Sequence, residues 1–208
     1  MSHAMLNSAY PPSDELLVPE TLERDISLQL CLGYSFDWVW DSFMEDPDDD
    51  PWQGRETDIE PVPDSLEQVI SLVAAEYRRN VPEDSPHARA LKQVPAALEE
   101  AGIAWSFGEG WDKGEAAHIG HEKAQDKGLK GYAYCTNQDA VDLIFEGTLF
   151  IGYSNEEGKA TDAEIGRAVT EVLDRLGLNP TWDGNTGTRI ECTGLTCEFA
   201  LDESYSET

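Results

Sequence analysis

Two histidines and three carboxylates gather in one short stretch of this chain. His118-Ile119-Gly120-His121-Glu122 has Asp112 and Glu115 just upstream. On a helix, His118 and His121 are i, i+3 neighbours and could share a metal with those carboxylates. The order is H-x-x-H-E, neither H-E-x-x-H nor H-x-x-E-H, so the spacing that aims two ligands and a general base is absent. Gly114 and Gly120 also weaken the helix. The competing reading of His118, His121, Glu115 and Asp112 is a solvated polar crossover.

The other chemistry-bearing stretches point to surfaces more than to catalysis. Asp46-Pro47-Asp48-Asp49-Asp50 suggests calcium, but Pro51 falls where an EF-hand needs Gly and Thr57 where it needs Glu. Trp182-Asp183-Gly184 with Arg189 reads as a hairpin turn. Arg189 is expected to pair there with Asp183 or Glu191 and to lie against Trp182, as structure or as a small recognition surface. Ser106-Phe107-Gly108-Glu109-Gly110 lacks the Gly spacing and the Lys of a phosphate cradle. The chain has no G-x-S-x-G. Cys192 and Cys197 form a lone C-x4-C, read with Cys31 and Cys135 as reduced thiols of a cytosolic protein. A spatial pair of Cys135 with His118 or His121 stays open.

The elements that must carry these residues follow from apolar spacing. Residues 1–20 read as a loose lead-in containing Pro11, Pro12 and Pro19. Leu22, Ile26 and Leu30 predict a helix over 21–32, and an aromatic one follows over 36–44. Residues 41–64 hold ten acidic residues against one base, Arg55, and four prolines; they read as an acidic loop without regular structure. Leu66, Val69, Ile70, Val73 and Tyr77 stripe a helix over 65–79, and another over 87–100 is expected to kink or restart at Pro95. From Ile103 on, strands alternate with helices: strands over 103–107, 132–135 and 149–153, helices over 113–127, 138–145 and 161–176. A hairpin from Pro180 to Cys192 closes the pattern. The tail from 198 is acidic and expected to fray. The fold class is therefore α/β (α+β), a small mixed sheet of four to five strands with packed helices and a helical N-terminal part over 21–102, read as one compact domain.

The 208 residues carry 42 acidic against 14 basic side chains, a net charge of −28. Such a chain repels nucleic-acid phosphates and anionic membrane faces and favours a basic protein surface. The first ten residues lack the basic and apolar regions of a secretory signal. The expected compartment is the cytoplasm, and no cofactor is predicted.

Four stretches resemble a bacterial family known only as a domain of unknown function. Ala97 to Ile103 is similar to that family's helix end and first strand. Gly131-Tyr132-Ala133-Tyr134 with Asn137-Gln138-Asp139 resembles its GYVFYHQQD stretch. Leu149 to Tyr153 resembles its next strand, and Trp182-Asp183-Gly184 with Arg189-Ile190 its closing hairpin. Where the family carries a CC-x-x-C stretch after the first strand, Phe107 to Gly114 contains no Cys. The resemblance implies the order of the fold and no activity.

Three functional readings remain. One is a non-catalytic, immunity-like or regulatory protein that covers a basic partner, with Trp40, Asp48, Asp49, Asp50 and Trp52, and more weakly Trp182 and Arg189, on its binding face. The second is a metal-dependent enzyme built around His118 and His121. The third is that the acidity only adapts the protein to salt.

Overall fold

The structure, a computed structural model, describes residues 3–12, 21–44 and 57–205. The chain divides into two compact units: Met1–Asp84 with Glu198–Thr208, and Ser85–Cys197.

The first unit contains β1 (Ala4–Met5), α1 (Leu22–Cys31), α2 (Phe36–Phe43), β2 (Ile59–Glu60) and α3 (Leu66–Asn80). The predicted stripes of α1 and α3 meet: Leu22, Ile26 and Leu30 of one helix and Val69, Ile70, Val73 and Tyr77 of the other are buried. Ser65 starts α3 by accepting from Gln68 N–H, which satisfies one of the helix's open donors. Three expectations change here. The lead-in is not loose where it is described, because β1 pairs antiparallel with β2, Ala4 opposite Glu60, and Ala9 N–H donates to Glu76 at 3.0 Å. β2 also places a strand inside the acidic stretch, just before Pro61, whose missing N–H ends the pairing. The tail is not frayed up to Tyr205. Phe199 and Tyr205 are buried, and the Tyr77 hydroxyl donates to Phe199 O at 2.9 Å. Two aromatic side chains bury enough apolar surface to offset the entropy of ordering a short acidic segment.

The second unit runs α4 (Pro86–Leu91), α5 (Val94–Glu100), β3 (Ile103–Phe107), α6 (Lys113–Asp126), β4 (Gly131–Cys135), α7 (Asn137–Glu146), β5 (Leu149–Asn155), α8 (Asp162–Arg175), β6 (Pro180–Thr181) and β7 (Ile190–Cys192). Of the two outcomes open at Pro95, the helix restarts: the segment splits in two, and Pro95 lies in the first turn of α5, where no N–H is needed. Because α5 packs on β3 and α8, it belongs with the sheet, in the unit Ser85–Cys197.

The sheet order is β3-β4-β5-β7-β6. Only β3 and β4 are parallel. The predicted mixed sheet and C-terminal hairpin are thus present. Two close approaches assign its faces. A Cβ on Gly131 would lie 2.6 Å from Ile165, so α8 covers the face of Gly131, Ala133 and Cys135. A Cβ on Gly120 would lie 2.8 Å from the Tyr132 ring, so α6 covers the opposite face, that of Tyr132 and Tyr134. Strand alternation and register put Phe150, Gly152 and Glu191 on this second face too.

Candidate functional site

The proposed metal ligands all lie on α6, and helix geometry sends them apart. Asp112 caps the helix: its Oδ1 accepts from Gly114 N–H at 2.7 Å and Glu115 N–H at 2.9 Å. Glu115 turns back to accept from Trp111 N–H at 2.7 Å. His118 faces solvent at 68% side-chain exposure and meets Glu122 one turn on, at 3.4 Å. His121 Nδ1 lies 2.6 Å from the nearly buried Glu156. Among the described residues, no group of three His, Cys, Asp or Glu side chains could hold a metal ion. Cys135 does not pair with these histidines. Its side chain lies on the α8 face, whereas His121 stands edge-on to Tyr132 on the α6 face. The thiol is fully buried, and burial pushes its pKa well up, so it is held as an unreactive neutral group.

Of the acidic binding face expected from sequence, Asp48, Asp49, Asp50 and Trp52 lie outside the described residues. Trp40 lies on α2, half-buried, its ring stacked 6.5 Å from Phe36. Ser35 starts this helix by accepting from Trp38 N–H. Val39 is the one fully buried side chain of α2. Trp38, stacked on Tyr34 with ring centroids 3.7 Å apart, keeps 45% of its surface in solvent between the exposed Asp37 and Asp41.

The second unit holds a cavity. An open cleft of about 430 Å³ lies on the α6 face of the sheet. Lys113, in the first turn of α6, borders it, with Phe150 of β5 and Thr181, Trp182, Arg189 and Glu191 from the closing hairpin. Its centre is Arg189. Nη1 donates to both oxygens of Asp139, at 2.7 and 2.8 Å, and the guanidinium carbon sits 4.8 Å over the Phe150 ring. Asp139 is 3% exposed and is itself held by Thr136 N–H at 2.9 Å and the Thr136 hydroxyl at 2.7 Å, the capping box that begins α7. One carboxylate thus starts a helix and orients a cation. The expected partner of Arg189 is corrected: it takes neither Asp183 nor Glu191. Asp183 is committed to its own turn, accepting from Asn185 N–H at 2.9 Å and the Thr188 hydroxyl at 2.8 Å, which holds its carboxyl below the usual range. Trp182 stands edge-on to Tyr153 at 5.6 Å, away from Arg189's stacking partner. On the same face of the sheet Tyr134 lies over Gly152, where a Cβ would come within 2.3 Å of its ring; burial pushes its phenol up, while the Arg189 charge acts the other way.

The cleft draws on β4–α7, β5 and the hairpin, the same stretches that carry the family resemblance. The profile of DUF6891, a domain of unknown function, matches residues 19–197. The chain belongs to the DUF6891 family. No curated protein and no solved structure matches it. In this DUF6891 protein, Arg189 and Trp182 were legible as candidates from the hairpin signature. Asp139 and Phe150 were visible only as parts of the Asn137-Gln138-Asp139 and Leu149–Tyr153 stretches, and Lys113 carried no signal beyond its residue type. Among the described residues, no helix is long and apolar enough to cross a membrane.

Proposed function

We propose that this DUF6891 protein is a non-catalytic, cytoplasmic binding protein that receives a basic protein partner on the aromatic, acidic face of α2. The observation that supports this is the exposure of Trp38, 45% in solvent on a helix whose one fully buried side chain is Val39. Rigid aromatic rings lose little conformational entropy on contact and supply large apolar area, which is why they anchor interfaces. Asp37 and Asp41 flank the ring, and the net charge of −28 draws cationic surfaces from a distance. The two contributions divide the work: charge sets the encounter rate and selects sign, and the ring sets the lifetime of the complex.

The test is affinity capture from a bacterial lysate with immobilised protein, run beside the Trp38→Ala variant and repeated with each purified partner. At low salt a basic protein is retained by the wild type and lost from the variant. Retention falls as salt rises past about 0.15 M, where the screening length is about 8 Å. Retention of no basic protein, or equal retention by Trp38→Ala, refutes the reading.

A further inference from the structure

Arg189 is held with half of its guanidinium unused. Nη1 is taken by Asp139, and Nε and Nη2 make no hydrogen bond among the described residues, although the side chain is 26% exposed. A guanidinium has no acceptor of its own, and its Nε/Nη2 edge presents two parallel N–H donors matched to a carboxylate. This edge is already oriented, because Asp139 fixes one nitrogen and Phe150 supports the plane. Lys113 borders the same cleft with no ion pair among the described residues, a second cation in a chain with 14 basic side chains against 42 acidic ones.

The geometry points to the cleft of the second unit as a binding site for a small monocarboxylate, its anionic head on the Nε/Nη2 edge of Arg189 and its apolar body along Phe150. The cavity of about 430 Å³ has room for a ligand of this size. Charge on the rim selects between anions. Glu191 and Asp183 border the cleft with Arg189 and Lys113. Of these, Asp183 is tied into its turn and keeps its charge, and Asp139 balances Arg189, so two cations stand against three carboxylates here. The planar donor edge of Arg189, not a surplus of positive charge, therefore holds the anion, and a phosphate dianion meets more carboxylate repulsion than a monocarboxylate does. Little has to be ordered on binding. The hairpin is braced by the Asp183 turn and by the Trp182 indole donating to Asn185 O at 3.2 Å, and α7 by its capping box. The site is independent of the α2 reading, since every residue it uses lies in the second unit.

The experiment is NMR titration of the full chain, following the Nε–H resonance of Arg189, with benzoate, benzamide and inorganic phosphate as probes. Benzoate is expected to shift that resonance with a Kd of about 10 mM or tighter. Benzamide, which keeps the ring and loses the charge, produces no shift, and phosphate binds more weakly than benzoate. Arg189→Lys keeps a cation beside Asp139 but removes the planar edge; followed by the backbone amide resonances of Thr188 and Glu191 in both proteins, it weakens benzoate by about tenfold or more. Lys113→Gln, an exposed change that leaves the fold alone, weakens it by about threefold. An Arg189 resonance unmoved by benzoate at about 50 mM overturns the assignment. So does benzamide binding as well as benzoate, phosphate binding more tightly, or both variants binding like the wild type.

Discussion

On α2, rings and charge come from one run of eight residues, Phe36-Asp37-Trp38-Val39-Trp40-Asp41-Ser42-Phe43. In the cleft, Lys113, Asp139, Phe150 and Arg189 come from four separate segments. The first surface is built by local sequence and needs only a helix to display it. The second exists because strand register places Phe150 opposite Glu191, and hence beside Arg189, and because α7 begins where Asp139 can reach the guanidinium. A surface of the first kind tolerates substitution structurally and loses binding. One of the second kind loses structure when a single charge is removed.

The largest effect should therefore come from Asp139. Asp139→Ala removes the N3 half of the capping box and leaves Arg189 without its acceptor, and it should cost about 3–5 kcal/mol in denaturant unfolding. A loss below about 1 kcal/mol would mean that the pair is a surface contact and the contrast fails. Gly152→Ala should cost about 1–3 kcal/mol, because the new methyl occupies the place of the Tyr134 ring, 2.3 Å from its Cζ. A neutral result would show that the Tyr134 ring moves freely.

Alkaline pH should weaken both units. Burial pushes the Cys31 thiol of the first unit and the Cys192 thiol of the second up to about 12. Unfolded thiols ionise near about 8.5, so the folded state holds its protons longer. Their contribution is fully present below about pH 8.5 and is lost as pH rises through about 12. Urea midpoints measured between these limits should fall, and both thiols should resist a disulfide reagent at pH about 8 in the native protein. The smallest effect on stability should be that of Trp38→Ala, about 0.5 kcal/mol or less, with partner affinity nonetheless reduced about tenfold or more. A strongly destabilised variant would place Trp38 in the structure of α2, not on its binding face.

The element order was legible because its signals are short-range. Thr161 and Glu164 announce the capping box of α8, and Leu22, Ile26 and Leu30 announce the buried stripe of α1. Pro95 left a kink and a restart both open, because a proline inside a helix and one opening a helix look alike until the preceding turn is seen. The tail was read as frayed because its acidity was visible and the burial of Phe199 and Tyr205 was not. His118 and His121 looked like a pair because spacing alone cannot show that Glu122 and Glu156 each claim one of them.

The amino-acid sequence by itself determined the charge, the helix stripes, the strands and the turn at Asp183-Gly184, all consequences of interactions within a few residues. Only the tertiary structure decided which carboxylate holds Arg189, which face of the sheet α6 leaves open, and which unit owns the tail. Those outcomes depend on contacts between segments 50 or more residues apart, such as Arg189 with Asp139 and Tyr77 with Phe199. Packing selects such partners from many of the same chemical type, and spacing along the chain carries no record of the choice.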